Sequence, residues 1–257
     1  MSRLKVTETF VSIQGEADAV GWPTLFIRLT GCPLRCVYCD TQYSFYGGEW
    51  RTLEQLLEAA QDSGVRHVCV TGGEPLAQKA CFELLAALCD AGYDVSLETS
   101  GAIDVTNVDA RVSRVVDLKT PDSGEERRNK LGNLDVLTPR DQLKFVLCSR
   151  GDYEWARDLL RGRAEPVRCQ VLFRRPGGSW SRDSSLNGSS RIGSTCGCRC
   201  NCTSISGATS RAGNPSPWNS GSNRTGAPGR QSCWFRAGSI PPRALPSHAQ
   251  KASVAMR

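Results

Sequence analysis

The sequence predicts an α/β fold, an open or partial β/α barrel, over residues 1–173. Three observations predict it. Apolar runs of strand length alternate with amphipathic runs of helix length, the pattern of parallel crossover units. Glycine-containing turns follow three of the apolar runs, where a parallel sheet offers the carboxyl ends of its strands to a ligand. The composition changes after Phe173, so the alternation belongs to one segment.

The elements follow in order. VTETFVSI (6–13) and TLFIRLT (24–30) are rich in β-branched and aromatic residues and read as strands. TLEQLLEAAQDSG (52–64) has a Thr cap, a carboxylate in its first turn and a Gly stop, so it reads as a helix. HVCVTGG (67–73) is a buried strand by length and flanks, Leu76 to Ala91 a helix, and YDVSLETSG (93–101) a strand. VSRVVDLK (112–119), QLKFVLC (142–148) and VRCQVLF (167–173) are further strands, with a helix, YEWARDLLRG (153–162), before the last.

From Arg174 to Arg257 the chain is rich in Ser, Gly, Arg and Pro, with Asp183 as its one acid. The whole chain carries +6, of which the tail supplies +11 and residues 1–173 supply −5. The basic character belongs to the tail, and the overall charge is no nucleic-acid footprint of the folded part. Too few apolar groups stand in the tail to offset chain entropy, so it is expected to be disordered. No run of about 18 apolar residues suggests a membrane span, and MSRLKVTETF has no apolar leader core. The expected compartment is the reducing cytoplasm, where thirteen cysteines are cluster ligands and buried thiols, not disulfides.

GCPLRCVYCDT (31–41) sets Cys32, Cys36 and Cys39 directly after a strand. Structural zinc usually takes four ligands in paired spacings, and no partner pair follows at suitable distance. Three thiolates on a four-iron cluster leave one iron open, as a substrate-binding cluster requires. At the next strand end, TGGEP (71–75) supplies two glycines for close backbone approach. Pro75 can open a helix there, and the Glu74 carboxylate can meet an ammonium group.

In order and spacing, these two motifs resemble those of the radical S-adenosylmethionine (radical SAM) superfamily. The resemblance implies a [4Fe–4S] cluster on Cys32, Cys36 and Cys39, chelated by S-adenosylmethionine, whose reductive cleavage gives a deoxyadenosyl radical. FVSIQGE (10–16), followed by PTLFIRLTGC, resembles the 7-carboxy-7-deazaguanine synthases, small lyases of queuosine precursor synthesis. That resemblance spans roughly residues 5–173 and includes CDT, TGGEP and ETSG. It implies conversion of 6-carboxy-5,6,7,8-tetrahydropterin to 7-carboxy-7-deazaguanine with loss of ammonia. It further implies Mg²⁺ dependence, a homodimer, and an electron donor such as flavodoxin or ferredoxin.

Residue by residue, the resemblance puts Ile13, Gln14, Gly15, Arg28 and Thr71 on the substrate, with the Arg28 fork suited to a carboxylate. Thr41 would give its hydroxyl to Mg²⁺, its other reading being a helix cap. Gly73, Glu98, Ser100, Asp117, Leu118, Lys119 and Gln170 would line S-adenosylmethionine, Lys119 meeting its carboxylate. Ala17 departs from the family pattern, which has Gly after the acid.

Other features read plainly. His67 is a core or edge histidine, and Cys69, Cys81, Cys89, Cys148 and Cys169 are small hydrophobes. GEERRNK (124–130) is a solvated loop or helix face. In the tail, CGCRCNC (196–202) looks like a thiolate metal site, yet it has a cheaper origin. One choice of codons for Arg199 to Thr209, read two bases on, encodes LQLHKYLWGD, the strand and His-Lys-Tyr ending expected of the family. The tail is therefore read as out of frame.

Two other functions compete with the lyase. A radical SAM activating enzyme for a glycyl-radical partner protein shares the cysteine spacing but leaves SIQGE and CDT unexplained. A zinc or nucleic-acid module built on the tail predicts zinc stoichiometry and steep salt dependence.

Overall fold

A computed structural model describes residues 2–176 and the backbone of one further strand, Trp234–Ala237. The strands are β1 (Arg3–Ile13), β2 (Pro23–Leu29), β3 (Glu49–Thr52), β4 (His67–Gly72) and β5 (Asp94–Thr99). After them come β6 (Ser113–Leu118), β7 (Gln142–Val146), β8 (Gln170–Arg174) and β9 (Trp234–Ala237). Three helices connect them: α1 (Leu53–Asp62), α2 (Ala80–Asp90) and α3 (Arg150–Arg161). One sheet runs β3-β1-β2-β4-β5-β6-β7-β8-β9, parallel from β2 through β8 with antiparallel strands at both flanks. This is a mixed, unclosed α/β sheet, as the alternation predicts.

Local chemistry sets the boundaries. Thr52 and Gln55 form a reciprocal capping box that starts α1. Ser149 caps α3 by accepting from the Asp152 N–H, so the helix opens three residues earlier than its apolar pattern suggests. Pro75 opens only a 3-10 turn, Pro75–Ala77, and α2 proper begins at Ala80. Residues 167–169, read from sequence as strand, lie outside β8. The short β3 escapes the sequence reading because EWRT has no clear alternation; its pairing with β1 makes it a strand.

The alternation of strand side chains sorts the sheet into two faces. Ile27, Leu29, Val68, Val70, Leu97, Val116, Leu118, Leu143 and Phe145 join the core with Leu56, Leu84, Leu85, Leu88 and Ala156 of the helices. The other face is concave and polar, and its carboxyl-end half is the site. His67 is buried at the amino end of β4, its Nδ1 2.8 Å from the Thr24 hydroxyl; burial pushes its pKa down. Cys69 and Cys81 are fully buried, with thiols pushed up by burial, matching their reading as packing residues.

The expected disorder and frame shift of 174–257 concern residues that lie, for the most part, outside those described. Within that range β8 continues through Arg174, and Trp234–Ala237 pairs antiparallel with β8 at the sheet edge. Four tail residues thus have a place in the sheet, which the composition of the tail does not suggest.

Candidate active site

Three loops converge at the carboxyl ends of β2, β4 and β5. The first carries Cys32, Cys36 and Cys39, each partly exposed and each lining a cavity of about 400 Å³, a size ordinary for a small-molecule site. The second is Gly72–Gly73, packed hard against the first. A Cβ on Gly73 would stand 2.3 Å from the Gly31 carbonyl oxygen and 2.7 Å from Cys32 Cβ. Gly72 has φ +151° and equally little room against Leu29. These glycines let the cysteine loop close on the neighbouring strand end, a physical reason for the double glycine.

Glu74 plays a different part from the one its sequence suggests. It is fully buried, and its carboxylate accepts from the Leu76 N–H (3.0 Å), Thr99 Oγ1 (2.8 Å), the Ser100 N–H (2.7 Å) and Ser100 Oγ. Both oxygens are spent tying the end of β4 to the end of β5. It does not line the cavity, so backbone at Gly72 and Gly73 is what faces a ligand there.

The cysteines suit an iron–sulfur cluster by donor chemistry. Burial pushes the Cys36 thiol up to about 11 and raises Cys32 as well, so a metal must displace their protons on binding. Among the described residues no three His, Cys, Asp or Glu side chains are grouped to hold one ion. A cubane asks something else, since each thiolate binds a different iron.

Around this rim stand the other expected residues. Ile13, Gln14, Gly15, Arg28, Thr41, Thr71, Gly73, Glu98, Ser100, Asp117 and Lys119 all line the cavity. Arg28 Nε donates to Glu8 Oε1 at 2.8 Å, and the Tyr43 hydroxyl donates to the same oxygen at 2.8 Å. Burial of Glu8 is outweighed by these two donors, which hold its carboxyl below its usual value. Arg28 is thus fixed in direction before any ligand arrives. Thr41 precedes the short turn Gln42–Phe45 without capping it; its hydroxyl lies 3.8 Å from Cys39 Sγ. Lys119 Nζ is 3.3 Å from Asp117 Oδ1 and lies over the Tyr38 ring. Glu98 accepts from Thr71 Oγ1 at 3.0 Å and faces Gln14 Nε2 at 3.5 Å. Burial, then the nearby Glu16 charge, push the Glu98 carboxyl up.

Two expected residues do not line this cavity. Leu118 is fully buried in the core, because strand alternation turns it away while Asp117 and Lys119 face in. Gln170 begins β8, in register with Gln142, whereas Arg174, four residues on at the carboxyl end, reaches the cavity. Sequence reasoning also missed residues. Glu16, Lys144 and Arg174 line the cavity, Glu16 pairing with both cations, and Tyr38 puts a buried hydroxyl there with no hydrogen-bond partner among the described residues. Lys144 carried a usable signal: a lysine inside the apolar run QLKFV must be buried and so must meet an anion.

Comparison with known proteins bears on this geometry directly. The pattern of the radical SAM superfamily matches residues 26–161. A 7-carboxy-7-deazaguanine synthase of Chlorobaculum tepidum is 39% identical over 173 residues, 66% of this chain and 79% of that one. One from Koribacter versatilis is 41% identical over 160 residues, 62% of this chain and 71% of that one. The chain belongs to the 7-carboxy-7-deazaguanine synthase family of the radical SAM superfamily. A crystal structure of QueE from Escherichia coli shares the fold, with TM-score 0.55 at 24% identity over 74% of this chain and 87% of that one. Membership of this radical SAM family makes the chain an enzyme and implies S-adenosylmethionine and an iron–sulfur cluster. Among the described residues no helix is long and apolar enough to cross a membrane.

Proposed function

We propose that the chain is a carbon–nitrogen lyase that converts 6-carboxy-5,6,7,8-tetrahydropterin to 7-carboxy-7-deazaguanine with loss of ammonia, in queuosine and 7-deazapurine biosynthesis. The observation that carries the reading is one cavity lined by both sets of motif residues. SIQGE and Arg28 line it together with the cysteine loop, Gly73, Ser100 and Lys119. Similarity to the named synthases supports the choice of substrate.

Cys32, Cys36 and Cys39 would hold the cluster. With S-adenosylmethionine bound there, the chemistry supplied is a deoxyadenosyl radical that takes a hydrogen atom from the substrate. The rest falls to the protein. The backbone of Gly72 and Gly73 gives close approach, and Lys119 offers a cation to the methionyl carboxylate. Arg28, pre-oriented by Glu8, offers its fork to the pterin carboxylate. Thr71 and Gln14, both bonded to Glu98, give the pterin edge a fixed donor and acceptor array. Thr41, whose hydroxyl is not spent on capping, would be an oxygen ligand for Mg²⁺.

The reading extends to a cytoplasmic homodimer reduced by flavodoxin or ferredoxin, with no nucleic acid or membrane partner. It also takes residues 1–173 as the catalytic domain and 174–257 as an out-of-frame tail. The test is anaerobic reconstitution of the full chain, followed by product analysis with the pterin and with Mg²⁺ varied. Product is expected with wild type. Thr41→Ala is expected to lose the Mg²⁺ stimulation with the cluster spectrum intact, and Thr41→Ser to keep most of it. Cleavage of S-adenosylmethionine without pterin turnover would refute the substrate, and an equal Mg²⁺ response in both variants would refute the metal role.

A further inference from the structure

The loop after β1 makes a contact the sheet order does not suggest. Four strands (β2, β4, β5, β6) separate β1 from β7. In a flat sheet the two would lie roughly 24 Å apart, at about 4.8 Å per strand. Yet Glu16, three residues beyond β1, places Oε2 3.0 Å from Lys144 Nζ on β7 and Oε1 2.9 Å from Arg174 Nη1 on β8. Sheet curl together with the reach of the loop brings these ends together. Two residues on, Asp18 N–H donates to Gln142 Oε1 (3.2 Å), and Gln142 Nε2 donates to Asp18 Oδ2 (3.1 Å). Gln142 and Lys144 stand on one face of β7, so the loop is fastened along that strand.

The charges involved are largely out of water. The Lys144 side chain is 7% exposed, Glu16 18% and Arg174 17%. Lys144 is shared with Asp117 Oδ2 at 3.2 Å. Its burial is outweighed by Asp117, Glu16 and Glu98, which hold the ammonium charged. The backbone beside the pair is shaped to deliver Glu16. Ala17, at φ +61°, is the one non-glycine with positive φ among the described residues. The Glu16 N–H also donates to Gln14 Oε1 at 3.1 Å, which fixes the side chain that faces Glu98.

We propose that Glu16 is a positioning residue: an ionic latch to Lys144 and Arg174 that closes the open side of the half-barrel and so holds Gln14 and Gly15 against the cavity. The latch rests on geometry alone, and its consequence for pterin binding rests on the proposed function. Glu16→Gln keeps the size of the side chain and removes the charge that Lys144 and Arg174 share across the loop, while Lys144 keeps Asp117. Opening of the loop should then become easier by roughly tenfold or more, given the cost of breaking a buried pair.

The experiment follows amide hydrogen exchange of residues 14–22 in the full chain for wild type, Glu16→Gln, Glu16→Asp and Arg174→Gln. Turnover kinetics on the pterin and equilibrium binding of S-adenosylmethionine accompany it. Arg174→Gln removes one keeper at a strand end and guards against a Glu16 variant that fails to fold. Expected are faster exchange confined to this loop in Glu16→Gln and Arg174→Gln, and partial recovery in Glu16→Asp. The KM for the pterin should rise about tenfold, with affinity for S-adenosylmethionine within about twofold of wild type. Unchanged exchange in both variants would overturn the latch, whatever the substrate. Faster exchange with an unchanged pterin KM would overturn its positioning role. Faster exchange in a chain whose wild type never converts the pterin would uphold the latch and refute the substrate instead.

Discussion

Two buried charge clusters sit at opposite ends of the same parallel strands, and they are built differently. At the amino ends of β6 and β7, Asp141 accepts from Arg114 N, Nε and Nη2, and from the Thr138 N–H and hydroxyl. Arg114 Nη2 also reaches the Val136 carbonyl. This pair is saturated by residues near it in the fold, and it leaves nothing for a ligand. At the carboxyl ends, the buried Asp117 Oδ1 meets Lys119 Nζ only at 3.3 Å, and the buried Tyr38 hydroxyl has no hydrogen-bond partner among the described residues. The charges there are shared among Lys119, Lys144, Glu16 and Arg174, which come from distant elements. A finished polar network stabilises a fold, whereas one with spare capacity is ready to bind.

Removing a thiol of the proposed cluster site should separate the two ends most sharply. Cys36→Ala is expected to abolish iron uptake and the visible absorbance of the reconstituted protein, while leaving the melting temperature of the iron-free chain nearly unchanged. Cys81→Ala, in the core, should keep iron. Iron retained in the Cys36 variant at the wild-type stoichiometry would break the assignment of the carboxyl end as the cluster site.

The amino end should respond the other way. Asp141→Asn leaves Arg114 buried with no full counter-charge and should cost about 3–5 kcal/mol, read by urea unfolding, with iron content per folded chain unaltered. Burial would raise the Asp141 carboxyl, but the Arg114 and Thr138 donors hold it below its ordinary 3.8. An acid with a depressed folded pKa contributes stability above its unfolded value and loses it as pH falls through the folded one. Wild type should therefore lose stability below about pH 4 more steeply than Asp141→Asn. Parallel acid limbs in the two proteins would assign the acid sensitivity to the carboxyl-end cluster.

The smallest effect is expected at the latch loop. Ala17→Gly relieves a left-handed backbone at a non-glycine, and should stabilise the chain by roughly 1 kcal/mol. A loss of stability there would mean that the Ala17 methyl makes packing contacts worth more than its strain.

Much of the fold was legible in the chain. Thr52 with Gln55 announces α1, and the apolar run before TGGEP announces β4, because caps and periodicity are local. The site was legible where it is built from contiguous motif: the cysteine triplet, Gly73, and the Glu98–Ser100 stretch all reach one cavity. It was misread where orientation matters. Glu74 looked like a ligand and its carboxylate is a tie between strands, and the Leu118 side chain is turned into the core by the pleat, which leaves its backbone as the part that could meet a ligand.

The sequence by itself determined the alternation of strands and helices, the family, and the residue types offered to a cluster, since each is written within a few neighbouring positions. Ala17 shows the border between the two kinds of knowledge: its departure from glycine is visible in the sequence, and its left-handed backbone is visible only in the structure. Tertiary structure alone decided that Glu16 meets Lys144 and Arg174, 128 and 158 residues along the chain, and that Asp117 divides its carboxylate between Lys119 and Lys144. The physical reason is curvature. Which strand ends touch depends on how far the whole sheet curls, a sum over many small twists that no single segment records.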